Sequence, residues 1–432
     1  MDYATLITLI SVALFLTGTP VLLVISGWVI ATSYFVVEFP LINVGLTANE
    51  AVQIYVFLAV PLFVATGDLL TAGGISKKLV TFARSTVPFL PGATAATTMV
   101  SCGLFSAVSG SNAATAATMG RLLGPELDKQ GVDRGLSAAL VAAGGTVGVI
   151  IPPSVMFLIY AVTVDVSSVD LFVGGIIPGL LMVLVLVSCA VFLTHENEPS
   201  KGFRSLSIVE IGSNAVKAWM GFIAIGIILF GIYWGYFSPT EAAGVVTLYC
   251  MIAAVFMSGE LKLRELPKIL LQSAQLTGMI VPLVVFSVQF QQVASVMGLP
   301  ELLQNWITEL GAIYSPSLSI LIMMGIILMV GAITESTAVV LILGPILAPI
   351  ADHFGIDPIH WGVIFVVGTT IGFITPPYGL NLFVVSGVMG VPYPSVMRNI
   401  LKILIPLILL WVFITWSPWL PISWLHRLEL LC

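Results

Sequence analysis

Two short runs gather the groups that could hold an ion in an otherwise apolar chain. Residues 106–112, Ser-Ala-Val-Ser-Gly-Ser-Asn, bring together hydroxyls and an amide. Residues 144–154 bring together Gly144, Gly145 and Gly148 with the pair Pro152-Pro153. Each proline removes a backbone donor and clashes with the preceding turn, while the glycines relax the chain upstream, so a continuous helix cannot pass. The carbonyl oxygens released there, with the Ser109 and Ser111 hydroxyls and the Asn112 amide, are hard oxygen ligands of the kind an alkali cation accepts. In hydrocarbon such broken backbone survives only where protein or a water-filled cavity surrounds it.

A second constellation has the same plan. Thr334, Glu335 and Ser336 form a polar turn, and residues 369–381 carry Thr369, Thr370, Gly372, Thr375, Pro376-Pro377, Gly379 and Asn381. Close packing of small residues accounts for Ala113, Ala114, Ala116 and Ala117. It does not account for two prolyl pairs each matched with a polar turn, so an ion-and-substrate role is expected for both places. Glu335 could meet a substrate or help hold a cation, or it could satisfy backbone N–H groups of its own turn. Asp68 and Glu241 fall near span ends and are expected to snorkel or cap. The first constellation has no acid and no His, which favours sodium over protons as a coupling ion.

Enzyme chemistry is poorly served. Ser109-Gly110-Ser111 superficially resembles an intramembrane protease nucleophile, but a base within hydrogen-bond reach is needed, and His195, His353, His360 and His426 all fall in loops or at span ends. A proton-translocating subunit of a respiratory complex would carry Lys or Glu in the middle of several spans, and no such ladder is present. No Gly-Lys dipeptide occurs, which excludes a Walker A loop. Cys102, Cys189, Cys250 and Cys432 stand singly, supporting neither a disulfide framework nor a transition-metal site. No cofactor and no nucleic-acid partner are expected.

The elements that must position these groups are membrane helices. Of 432 residues 58% are hydrophobic and 8% charged, where a soluble chain carries about 25% charged. Mean hydropathy is +1.11. No Lys or Arg precedes Lys77, so the start is expected to be a first helix and not a cleaved leader. Residues 4–37 are too long for one span and break at Gly18-Thr19-Pro20; residues 52–70 form a third span. Residues 75–89, with Lys77, Lys78 and Arg84, read as an interfacial amphipathic segment. Residues 91–124 read as a re-entrant hairpin, 135–164 as a span broken at its prolines and 169–193 as an intact one.

The second half repeats this order. Pro239 follows Pro20 by 219 residues, Pro282 follows Pro61 by 221, Pro345 follows Pro125 by 220, Pro376 follows Pro152 by 224 and Pro406 follows Pro178 by 228. The expected fold is therefore an all-α polytopic membrane protein with discontinuous helices. Its repeats are 1–194 and 217–432, joined by a polar linker at 195–216; the second repeat has its hairpin at about 316–350 and its broken helix at about 360–390. Each half makes five crossings, the hairpin returning to its own side, and five is odd, so the halves are expected to insert upside down relative to each other. That path puts fourteen of the fifteen Lys and Arg residues on one face and only Arg427 on the other, which makes that face cytoplasmic and both termini periplasmic.

The runs Ser109-Gly-Ser-Asn-Ala-Ala, Gly148-Val-Ile-Ile-Pro-Pro-Ser154, Phe172-Val-Gly-Gly-Ile-Ile-Pro-Gly179, Gly344-Pro-Ile-Leu-Ala-Pro349 and Thr375-Pro-Pro-Tyr-Gly-Leu-Asn-Leu-Phe383 resemble the large membrane (M) subunit of TRAP transporters, the tripartite ATP-independent periplasmic carriers. The resemblance covers essentially the whole chain. It implies sodium-driven uptake of an organic acid across a bacterial inner membrane by an elevator-like movement of the hairpin-bearing part. It also implies two partners, a small membrane subunit (Q) and a soluble periplasmic substrate-binding protein (P). Because this chain starts directly with large-subunit helices, the small subunit is expected to be a separate polypeptide. Carried over by position, Ser109, Ser111, Asn112, Gly145 and Pro152 would form one sodium site and Thr334, Thr375 and Gly379 the other, with Glu335, Ser109 and Asn381 facing substrate. The hairpin acid is Glu where Asp is often expected, which leaves substrate choice open. No Lys or Arg lies in the core, so hairpin N–H groups and bound sodium would have to neutralise a carboxylate substrate.

Overall fold

The computed structural model describes residues 3–419 apart from residues 18, 41, 54, 200, 201, 203–205 and 314. Lys201, Arg204, His426, Arg427 and Cys432, and part of the expected linker, lie outside the described residues. Among the described residues all regular structure is helical.

The first half runs α1 (Tyr3–Leu16), α2 (Val21–Phe35), α3 (Ile42–Gln53), α4 (Ala59–Ala72), α5 (Ile75–Thr86), α6 (Ala93–Ser109), α7 (Asn112–Lys129), α8 (Arg134–Gly145), α9 (Val155–Val164) and α10 (Ser168–Thr194). The second runs α11 (Ile208–Lys217), α12 (Trp219–Tyr233), α13 (Pro239–Ile252), α14 (Leu266–Val296), α15 (Leu299–Ile313), α16 (Pro316–Gly331), α17 (Ser336–His353), α18 (Pro358–Gly372), α19 (Leu380–Met389) and α20 (Tyr393–Thr415). Residues 52–70, expected as one span, begin in the last turn of α3, pass through a tight 3₁₀ turn at Tyr55–Leu58 and continue as α4.

Among the described residues four helices are long and apolar enough to cross a membrane, Ser168–Thr194, Pro239–Met257, Ser336–His353 and Tyr393–Thr415; counting each sharply bent pair as one span raises this to as many as seven. Two of the three bends fall in matching places, 75° between α4 and α5 and 70° between α14 and α15; the third, 72° between α11 and α12, follows the stretch expected as linker. The shorter apolar helices are largely the arms on either side of the hairpin tips and proline breaks, where glycine and proline stop them early.

Packing between the halves is reciprocal. α7 packs on α19 and α17 on α9, while α8 packs on α20 and α10 on α18. Element i meeting j while j′ meets i′ is the pattern a two-fold relation produces. The sense of each broken segment can be read from its ends. Arg134, opening α8, donates from Nη2 to the carbonyl of Met389, closing α19, at 2.9 Å. At the other end Gly362, near the start of α18, lies so close to α9 that a Cβ there would sit 2.9 Å from Tyr160 Cε1. The start of one broken segment thus meets the end of the other, and the two run in opposite directions.

Candidate functional site

The first hairpin turns in two residues. Gly110 closes α6 in the left-handed conformation (φ +56°), its N–H bonded to Ser106 O, which a side chain would resist. Ser111 then caps α7, its hydroxyl accepting from Ala114 N at 3.4 Å. The tip rests on the first break at van der Waals distance. A Cβ at Gly148 would lie 2.5 Å from Ser111 O, and one at Gly145 would lie 2.7 Å from Ala116 Cβ and 3.0 Å from Asn112 O.

Side chains join tip to break. Ser106 Oγ donates to Val147 O at 2.7 Å in a buried setting. Asn112, in the amide orientation that satisfies its donor, gives hydrogen bonds to the Gly145 and Thr146 carbonyls, both 3.1 Å. Ser109 and Thr115 pair through their hydroxyls at 2.8 Å. Within the break, Pro153 cannot donate to Val149 O, and the Ser154 hydroxyl does so instead, while accepting from Phe157 N at 3.1 Å. Pro152 likewise leaves Gly148 O without its helical donor, beside Ser111. Both the Pro152-Pro153 and Pro376-Pro377 bonds are cis.

The second unit uses backbone where the first uses side chains. α16 and α18 approach through glycine, a Cβ at Gly372 falling 2.8 Å from Gly331 Cα. Gly379, left-handed at φ +52°, donates to Ala332 O at 3.3 Å and so ties the break to the hairpin tip. Asn381 N donates to Phe373 O at 3.2 Å, the acceptor that Pro377 leaves unused. Thr334 and Thr375 turn their hydroxyls to carbonyls of their own helices, Val330 O and Ile371 O, both 2.8 Å. Glu335 caps α17, is half-buried, and its Oε1 accepts from Thr337 Oγ1 at 2.6 Å. Ser336 Oγ is buried with no hydrogen-bond partner.

The structure therefore brings Ser109, Ser111, Asn112 and Gly145 into one cluster with Pro152 flanking it, and Thr334, Glu335 and Gly379 into another with Thr375 on the adjoining turn. Asn381 behaves differently from the expectation that grouped it with the second break. Its Nδ2 crosses to donate to Ala142 O in α8 at 3.2 Å, and a Cβ at Gly145 would sit 2.9 Å from that same nitrogen. Its Oδ1 is fully buried without a partner. The second half thus brings an amide side chain to the first cluster. Sequence reasoning placed Ser106, Thr146 and Ser154 within its two runs without giving them a role, and it missed Thr115. The signal for Thr115 was available, because it stands three residues after Asn112 and one before Ala116, on the helix face that meets the break.

Other candidates resolve as structural. Glu241 forms a reciprocal capping box with Ser238. Asp68 accepts from Ser273 Oγ of α14 at 2.7 Å, a bond between helices and not a cap. His360 Nε2 lies 3.0 Å from Ile414 O, at a helix start. Among the described residues no three His, Cys, Asp or Glu side chains converge as a metal centre. What the first cluster offers is carbonyl, hydroxyl and amide oxygen at the N-terminus of α7, a place suited to cations on its oxygen side and to anions at its N–H groups.

A family model described as the DctM component of the tripartite ATP-independent periplasmic transporter matches residues 8–420. The chain is 37% identical over 369 residues to the C4-dicarboxylate TRAP transporter large permease protein DctM of Pseudomonas aeruginosa, covering 85% of this chain and 86% of that one. It is 31% identical over 367 residues to the sialic acid TRAP transporter large permease protein SiaM of Vibrio cholerae, covering 84% of each. Against the isethionate TRAP transporter permease protein DctMQ of Oleidesulfovibrio alaskensis it is 32% identical over 411 residues, 95% of this chain but 64% of that longer protein. Among solved structures, the Alcanivorax borkumensis YdaH transporter, reported to have an unusual topology, matches with a TM-score of 0.65 over 88% of each chain at 17% identity, a likeness of fold alone.

Proposed function

Since the chain belongs to the DctM family, the large membrane component of tripartite ATP-independent periplasmic transporters, we propose that it carries an organic acid across a bacterial inner membrane together with sodium. In this reading it is a transporter permease and not an enzyme, and its substrate reaches it from a periplasmic binding protein with a small membrane subunit alongside. Both termini face the periplasm, and the two repeats bracket the substrate at mid-membrane. Sodium enters as a co-substrate. Ser109, Ser111, Asn112, Gly145 and the backbone freed by Pro152 hold one ion; Thr334, Thr375 and Gly379 hold another; Glu335, Ser109 and Asn381 face the organic acid.

The observation that carries the reading is the first cluster itself. It has the Gly145 and Thr146 carbonyls gathered by Asn112, the Ser109 and Ser111 hydroxyls at the hairpin tip, and no carboxylate or imidazole among its own residues. An oxygen-lined site without a titratable group suits a monovalent cation and gives a proton nowhere to reside. Anionic substrate is neutralised by the N-termini of α7 and α17 and by the sodium ions, through an elevator-like movement of the hairpin-bearing part. The relatives' names span C4-dicarboxylates, sialic acid and isethionate, so the substrate is assigned here only as an organic acid.

Proteoliposomes containing this chain with its small subunit and binding protein test the coupling. Uptake is expected to follow an imposed sodium gradient and to vanish when choline replaces sodium. Uptake that persists without sodium and follows a pH gradient would establish proton coupling in its place.

A further inference from the structure

α14 carries the run Gln289-Phe290-Gln291-Gln292 facing helices of both halves. Gln289 and Gln292 share one side of the helix and bind α3: Gln289 Nε2 donates to Asn43 O at 3.2 Å, and Gln292 Oε1 accepts from Thr47 Oγ1 at 3.3 Å. Gln291 points elsewhere, and its Nε2 donates to the carbonyl of Leu341 in α17, the second arm of the second hairpin. That carbonyl has lost its helical donor because residue 345, four positions on, is proline. Leu341 is fully buried, so no water stands ready to replace the missing N–H. The first turn of α17 leans the same way. Ala338 packs with Ile25, Trp28, Val29, Leu283 and Val293 in a core cluster of α2 and α14 that is separate from the main one.

We propose that Gln291 is a positioning residue for transport, a releasable latch that holds the second hairpin against α14 in the arrangement described here and is given up when the hairpin moves. Pro345 creates the requirement, since a helix with its own donor at 345 would not need one from α14. The first hairpin provides the internal contrast. Pro125 releases the Arg121 carbonyl in the same way, but the position matching Gln291 at the 221-residue offset is Leu70, which cannot donate. The latch therefore acts on one hairpin only.

This inference rests on the reading that the hairpins move, and the test separates the two. In the full chain with its small subunit, reconstituted in liposomes, the four cysteines are replaced and a single cysteine is introduced by Ile333→Cys at the exposed tip of the second hairpin, where Ile333 is 38% exposed. Its rate of labelling by a membrane-impermeant maleimide is followed with and without sodium. Gln291→Met keeps the length of the side chain and removes the donor; it is expected to slow labelling about fivefold, the low end of what one unsatisfied buried carbonyl produces. Pro345→Ala restores the helical N–H, so Gln291→Met combined with Pro345→Ala is expected to label within about twofold of the background, a coupling that independent sites do not show. Sodium-dependent labelling in the background with Gln291→Met unchanged, or additive effects in the double variant, overturns the latch. A background whose labelling ignores sodium overturns the moving hairpin and the latch with it.

Discussion

In the first hairpin-and-break unit, side chains hold the tip to the break, Ser106 reaching Val147 and Asn112 reaching Gly145 and Thr146, while Thr115 engages Ser109 across the two arms of the hairpin. In the second, the corresponding connections are Gly379 N to Ala332 O and a glycine-on-glycine contact between Gly331 and Gly372, while the threonine hydroxyls turn back to their own helices. Two units with the same order of polar turn and prolyl pair are thus completed in two ways. A side-chain network fixes a single geometry because each member is satisfied only there. Glycine contacts and a backbone bond leave more room to adjust, and the second unit is correspondingly more open, with Ile333 and Tyr378 38% and 41% exposed. On the function proposed above, the first unit sets ion geometry and the second accommodates the organic acid and the movement.

The comparison is broken most severely by putting a side chain between tip and break. Gly148→Val places atoms against the Ser111 backbone, which cannot swing aside; uptake is expected to fall at least ~50-fold, with a melting temperature lowered by overpacking of about 1–3 kcal/mol. Gly387→Val, in α19 and facing open space, is expected to retain uptake, measured in the same vesicles. Next in size, Asn112→Ala removes both carbonyl contacts and is expected to raise the sodium concentration for half-maximal uptake about tenfold at unchanged expression, the scale of one or two lost polar contacts. A sodium titration that overlays the parent curve removes the first unit from ion binding.

Thr375→Val tests the looser unit. Because its hydroxyl already serves Ile371 O, the expected rise in the sodium requirement is smaller, about threefold; a shift as large as that of Asn112→Ala would mean the two units are equally rigid. Smallest of all, Glu335→Gln keeps a hydrogen-bonding partner for Thr337 and is expected to raise the substrate concentration for half-maximal uptake about twofold while leaving the sodium curve in place. A changed sodium curve would move Glu335 from the substrate to the ion.

Much of this plan could be read from glycine and proline. Pro152-Pro153, Pro376-Pro377 and the Ser-Gly-Ser-Asn turn mark where helices stop, and the matching prolines of the second half are what the expected repeat rests on. Other elements left weaker marks. α3 is half polar, and its sequence Ile-Asn-Val-Gly-Leu-Thr-Ala-Asn-Glu-Ala-Val-Gln has no long apolar run; it is held by glutamines of α14, more than two hundred residues away. α11 falls inside the stretch expected as linker, and α15 matches α5 only once the 70° and 75° bends are seen side by side.

What the sequence determined by itself is which carbonyls lose their helical donor, because proline removes its own N–H whatever surrounds it, even where, as at Pro125 and Pro345, the helix continues. What only the tertiary structure decided is which donor meets each released carbonyl. Ser154 repairs its own break, Gln291 reaches Leu341 from another helix, and Asn381 crosses from one repeat to the cluster of the other. A missing N–H is a local fact of the chain, whereas its replacement depends on how distant helices pack, and no spacing along the sequence encodes that distance.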